Sequence, residues 1–71
     1  MKFYVLKREK HNCYLAREGH VGWWTKFIKY ARKFERYDNA AKQRDVAISF
    51  FELTVNELSI IEVKKDDVIS I

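Results

Sequence analysis

Seventy-one residues with no proline, two glycines and a single cysteine suit one compact domain, because a chain this short buries only about 60% of its unfolded surface and has no room for two cores. A composition of 48% hydrophobic and 15% aromatic residues excludes global disorder, which goes with few aromatic and β-branched residues. The formal charge of +4 is unevenly divided: residues 1–37 hold ten lysines and arginines against three glutamates, a net of +7, and residues 38–71 hold four against seven acids, a net of −3.

Residues 3–8 and 13–17 are rich in aromatic and branched side chains and flank the polar Glu9-Lys10-His11-Asn12, a pattern that predicts a β-hairpin. Alternation puts Phe3, Val5 and Lys7 on one face of the first strand and Tyr4, Leu6 and Arg8 on the other. Apolar residues thus fall on both faces, as in a central or well-covered strand. Gly19 and Gly22 bracket His20-Val21 and mark a loop where positive φ costs little.

From Trp24 two readings compete. In the first, Thr25 caps a helix with Phe27, Ile28, Ala31 and Phe34 as its apolar stripe and Lys26, Lys29, Lys33 and Arg36 opposite, which periodicity favours. In the second, a short helical turn over 25–29 precedes a strand over 31–36, and the same bases scatter over two faces. Asp38 is a second N-cap candidate. From residue 39 to about 53, Ala40, Ala41, Ala47, Phe50 and Phe51 recur at helical intervals, with Ala40, Ala47 and Phe51 directed at the sheet. Residues 58–64, centred on Ile60, Ile61 and Val63, read as a closing strand; Asp66-Asp67 can form a turn, leaving residues 68–71 as a short last strand or a frayed end. The expected fold is α+β: a single domain over 1–71 with an N-terminal β-hairpin and one or two helices packed on a three- to five-stranded antiparallel sheet, closed by a C-terminal strand.

The order Tyr4-Val5-Leu6, Tyr14-Leu15, Trp24-Thr25 leading to Ala31-Arg32-Lys33-Phe34, Asn39-Ala40 opening a helix, and Ile60-Ile61-Glu62-Val63 resembles small accessory proteins of tailed bacteriophages. The resemblance spans most of the chain. It implies a hairpin, a tryptophan-bearing turn, an A-x-x-F strand, one packed helix and a closing strand, and so supports the second reading of residues 30–36. The doubled Trp23-Trp24 and the bases between Lys26 and Arg36 depart from that pattern. The resemblance implies a phage or prophage origin and a binding role during infection, with no active site.

The residues themselves point the same way. His11, Cys13 and His20 could supply three metal ligands, but a structural zinc site takes four, and no C-x-x-C or H-x-x-x-H spacing accompanies them. A Cys13 nucleophile lacks an orienting group. Asp66-Asp67 and the Glu57/Glu62 pair stand without a glycine-rich phosphate loop and read as solvated acids. No metal, cofactor or small-molecule substrate is expected, and the chain is not expected to be an enzyme. Nothing matches a helix-turn-helix, zinc finger or RNP motif.

Two features carry the functional expectation. Adjacent Trp23 and Trp24 point their rings apart, so one is expected at the surface, suited to stacking on an unpaired base or anchoring an interface. Lys26, Lys29, Arg32, Lys33 and Arg36, with Arg17, are expected to form a positive surface that contacts phosphates without sequence selectivity. The reading is a non-catalytic basic protein that binds RNA, DNA or a host nucleoprotein complex and blunts a host function such as defence. The alternative is a protein-directed inhibitor, or an oligomerising structural protein such as a homodimer, acting through exposed Trp and aliphatic residues. The lone cysteine suits a reducing compartment, the host cytoplasm; the four-residue apolar run near the start is too short for an export signal, and the interrupted stretch 46–55 falls short of the ~20 residues of a membrane span.

Overall fold

Aromatic and branched side chains make Lys2–Arg8 a strand, β1, and the computed structural model, which describes residues 2–64, places it inside a four-stranded antiparallel sheet. The other strands are β2 (Cys13–Leu15), β3 (Trp24–Thr25) and β4 (Leu58–Lys64), in the spatial order β3-β2-β1-β4. Between β1 and β2 lies a single 3₁₀ turn, Glu9–His11, closed by Asn12 at φ 51°, a left-handed conformation that asparagine tolerates better than most residues. The predicted hairpin, the central position of the first strand and the closing strand are all present.

Register explains why β1 is apolar on both faces. Residues directly opposite in an antiparallel pair share a face, so Phe3 with Val63 and Val5 with Ile61 lie on one side, and Leu6 with Ile60 and Arg8 with Leu58 on the other. Each side carries a buried cluster. Leu6, Leu15, Phe34, Ala40, Ala47, Leu53 and Leu58 fill the space under the helix α1 (Tyr37–Phe51). Phe3, Val5, Ala31 and Val63 form the second cluster, with Tyr14, Ile28 and Ile61 packed against it.

Helix α1 is present but starts and ends two residues earlier than the expected 39–53, and Ala40 and Ala47 are buried as the 3.6-residue period requires. Phe51 is half-buried against the first cluster, whereas Phe50 is 65% exposed and outside the core. Asp38 lies within the first turn rather than at the cap, which is Arg36 without a side-chain cap bond; its carboxylate still favours the positive end of the helix dipole. The helix ends at Glu52, a non-glycine residue at φ 57°, and the Leu53 N–H donates to the Ile48 carbonyl at 2.9 Å. With Leu53 buried and Ile48 packed on the same cluster, this is a Schellman-type stop and its hydrophobic contact.

The helix reading of residues 26–36 is overturned. Thr25 is the buried end of β3, and its Oγ1 accepts the Phe27 N–H at 3.2 Å, which caps a local turn rather than a helix. A single 3₁₀ turn, Ile28–Tyr30, follows, and the chain then runs extended, bridging Ala31 to Ala16 and Phe34 to Tyr4. Positions three apart in an extended chain face opposite ways, so Ala31 enters the second cluster and Phe34 the first, while Phe27 is 58% exposed. Tyr30 is half-buried, and Tyr37 is exposed. The expectations for residues 66–71 lie outside the described residues.

Leu58 is fully buried beneath the helix. Leu58→Ala should destabilise the fold by about 2–5 kcal/mol in chemical denaturation, whereas Phe50→Ala should cost only about 0.5–1.5 kcal/mol, the worth of its ring contacts with Trp23 and Phe51. Equal costs would place the core elsewhere.

Candidate functional site

The bridge between Ala16 and Ala31 organises the surface where three of the expected binding residues meet. In an antiparallel bridge the residues flanking the paired positions point to the opposite face from the pair itself, and all on one side. Arg17 N–H donates to the Tyr30 carbonyl and Arg32 N–H to the Leu15 carbonyl, both at 2.9 Å. Arg17 and Arg32 thus become diagonal neighbours on the helix side, although fifteen positions separate them in sequence.

Their guanidinium groups rest on aromatic rings, Arg17 over Tyr30 at 5.4 Å and Arg32 over Phe34 at 5.3 Å. Such cation–π packing holds the charged plane while leaving its edge donors available. Neither arginine makes an ion pair among the described residues.

Between β2 and β3 the chain makes an excursion closed by a 2.8 Å hydrogen bond from the Ala16 N–H to the Trp23 carbonyl. Gly19 (φ 86°) and Gly22 (φ 90°) supply the left-handed conformations that turn it. His20 packs on Tyr30 with ring centroids 5.7 Å apart, and its Nδ1 is buried without a hydrogen-bond partner among the described residues. The excursion, Arg32 and Gln43 from α1 enclose a pocket of about 360 Å³, with Trp23 and Glu18 also in its lining. Trp23 is 62% exposed, its ring supported by Phe50 at 5.6 Å and Phe51 at 5.9 Å.

The remaining expected residues are dispersed. Trp24 is half-buried, between Phe51 at 5.0 Å and the Arg8 guanidinium at 5.2 Å. With Lys26 it borders a second, shallower pocket that includes Arg8, His11, Cys13 and Thr25. Lys29 lies over Tyr30 at 5.1 Å, but Lys33 lies over Phe3 at 5.7 Å, on the other side of the sheet. Arg36 is paired with Asp38 at 3.8 Å at the helix start. The structure therefore brings Arg17, Trp23 and Arg32 together, and leaves Lys26, Lys33 and Arg36 apart from them.

His20 and Gln43 complete the pocket; the sequence weighed His20 only as a metal ligand and did not single out Gln43. The glycine pair marks the loop, but only the fold reveals that it folds over the helix side. His11 and Cys13 share the second pocket and His20 lines the first; among the described residues no cluster of histidine, cysteine or acidic side chains is placed to hold a metal. Among the same residues no helix is long and apolar enough to cross a membrane. Comparison with known proteins gives no matching family, no similar curated protein and no similar solved structure.

Burial pushes the Cys13 thiol above its ordinary pKa, only partly offset by the positive charges of Arg8 and Lys26. A neutral thiol is a poor nucleophile, so alkylation of the folded protein near pH 8 should be slower than that of the urea-unfolded chain. Since folding favours the protonated form, the stabilisation is present below the unfolded thiol pKa and is lost as pH rises through the folded value. Denaturant midpoints should fall across that alkaline range in the wild type and less so in Cys13→Ser; faster alkylation of the folded state would contradict the burial.

Proposed function

We propose that this protein is a non-catalytic binder of nucleic acid, acting through the surface that joins Arg17 and Arg32 to Trp23. The observation that carries the reading is the pairing of two ring-stacked guanidinium groups, without ion pairs among the described residues, beside a largely exposed indole. Positive groups beside an aromatic platform fit a phosphate backbone and an unpaired base. Lys29, next to Tyr30, extends the same surface, and the net of +7 over residues 1–37 favours encounter with a polyanion. The sequence resemblance to accessory proteins of tailed phages suggests the setting: a phage-encoded factor in the host cytoplasm that binds nucleic acid or a host nucleoprotein complex and blunts a function such as defence.

A second reading has its own support. Trp23 and Phe50 touch, and Val46, one helical turn before Phe50, is 58% exposed. An exposed apolar group of this kind also suits a protein-directed inhibitor with an aromatic anchor.

Salt dependence separates the two. Each neutralised phosphate of a single strand contributes about −0.7 to the log–log slope of affinity against salt. Arg17→Gln combined with Arg32→Gln should weaken RNA and DNA binding for all sequences and flatten the slope by about 0.7 for each phosphate the pair holds, with melting temperature nearly unchanged. Lys33→Gln should change the slope far less. Absence of any RNA or DNA binding at micromolar protein in about 100 mM salt, or nuclease-resistant capture of a host protein that is abolished by Trp23→Ala, would favour the protein-directed reading.

A further inference from the structure

We infer that the pocket framed by the 16–23 excursion is a seat for one unpaired nucleotide, with a phosphate between Arg17 and Arg32 and the attached base stacked on Trp23. The inference rests on the nucleic-acid reading and deepens it, from a basic surface to a defined subsite with a preferred strand state.

Pocket size and wall chemistry narrow the ligand. A volume of about 360 Å³ lies at the small end of the range for compact ligands and suits one nucleotide. Arg17 and Arg32 reach it from different segments and rest on different rings. A planar carboxylate is satisfied by one guanidinium fork, whereas a tetrahedral phosphate presents oxygens in several directions and can take donors from two. Glu18 also lines the pocket, leaving a net positive wall that accepts one phosphate better than a run of them.

The loop turns on its two glycines. A Cβ added at Gly19 or Gly22 would meet nothing within 4 Å, so these glycines are needed for their positive φ, and they leave bare backbone on the pocket wall. Gln43 brings an amide with both donor and acceptor character to the same pocket, the chemistry that reads a base edge. Trp23 stands in the lining, largely exposed and in ring contact with Phe50 and Phe51. A base paired and stacked inside a duplex cannot turn onto that ring, whereas an unpaired base can.

The same chemistry is offered by a strand and by a free nucleotide. Fluorescence anisotropy of a labelled single-stranded oligonucleotide and of its duplex, together with NMR titration of the Trp23 indole N–H by a nucleoside 5′-monophosphate, the matching nucleoside and inorganic phosphate, distinguishes them. The single strand should bind at least about tenfold more tightly than the duplex. Trp23→Ala should reduce single-strand affinity by about 10- to 100-fold and leave duplex affinity within about twofold, while Trp23→Phe should restore most of the loss. The Arg17/Arg32 double variant should flatten the salt slope by about 0.7, one phosphate, and not by 1.4. The monophosphate should shift the indole signal at lower concentration than the nucleoside or phosphate alone.

If both strand states bind equally and Trp23→Ala affects neither, the seat is refuted while the nucleic-acid reading stands. If no oligonucleotide binds but the monophosphate shifts the indole signal, the seat holds for free nucleotides and the nucleic-acid reading falls. If none of these ligands binds, both are refuted.

Discussion

Two backbone hydrogen bonds, from the Arg17 N–H to the Tyr30 carbonyl and from the Arg32 N–H to the Leu15 carbonyl, tie the end of β2 to the extended segment that follows the 3₁₀ turn at Ile28–Tyr30. Each contributes a net stabilisation of only about 1 kcal/mol, but losing the pairing would leave half-covered polar groups unmatched at greater cost. The bridge they form sets which side of the sheet every neighbouring residue faces. Ala16 and Ala31 turn one way, Ala31 into the second core cluster; Arg17 and Arg32 turn the other, over the aromatic rings and beneath the loop. Sheet geometry thereby converts two distant arginines into neighbours on one edge.

The loop and its frame differ in how they are held. None of residues 16–23 belongs to either core cluster, so the excursion is held by its closing hydrogen bond, by the Arg17–Tyr30 backbone bond, and by His20 on Tyr30 and Trp23 on the helix aromatics. Segments with few buried apolar contacts open at lower free energy than the core. Arg17, at the start of this region, and Arg32, on the adjoining extended segment, stand where the two backbone hydrogen bonds tie the chain, and Trp23 leans on Phe50 and Phe51 of the helix. Anchors of fixed position beside an adaptable loop suit a ligand whose charge is invariant and whose base varies.

The sheet and helix were legible where periodicity and burial agree. β4 falls on the residues expected from its branched centre, and α1 follows the apolar spacing of Ala40 and Ala47. Residues 26–36 were ambiguous because Phe27, Ile28, Ala31 and Phe34 fit a 3.6-residue stripe as well as they fit a broken strand. Tertiary pairing decided the matter: β1 meets β2 only at Lys7 and Arg8, and the free edge near Tyr4 takes Phe34 through hydrogen bonds of 2.7 and 2.9 Å. No local propensity encodes that vacancy. Of the expected binding residues, the exposed indole and the basic loading could be read from type and adjacency, but the sorting of Arg32 and Lys33 to opposite faces follows from the extended backbone alone. Gln43 and His20 enter the pocket through helix placement and loop closure, which no spacing rule anticipates.

The central claim is that Arg17 and Arg32 act on one and the same phosphate, and a double-mutant cycle tests it most directly. Single-strand affinity would be measured for the wild type, Arg17→Gln, Arg32→Gln and the double variant, at fixed salt and with melting temperatures matched. Two groups sharing one anion are coupled, so the second substitution should cost clearly less than it does in the wild-type background, with an interaction energy of at least about 0.5 kcal/mol. Strictly additive losses would show that the two arginines hold separate phosphates or none in common, and would contradict the account.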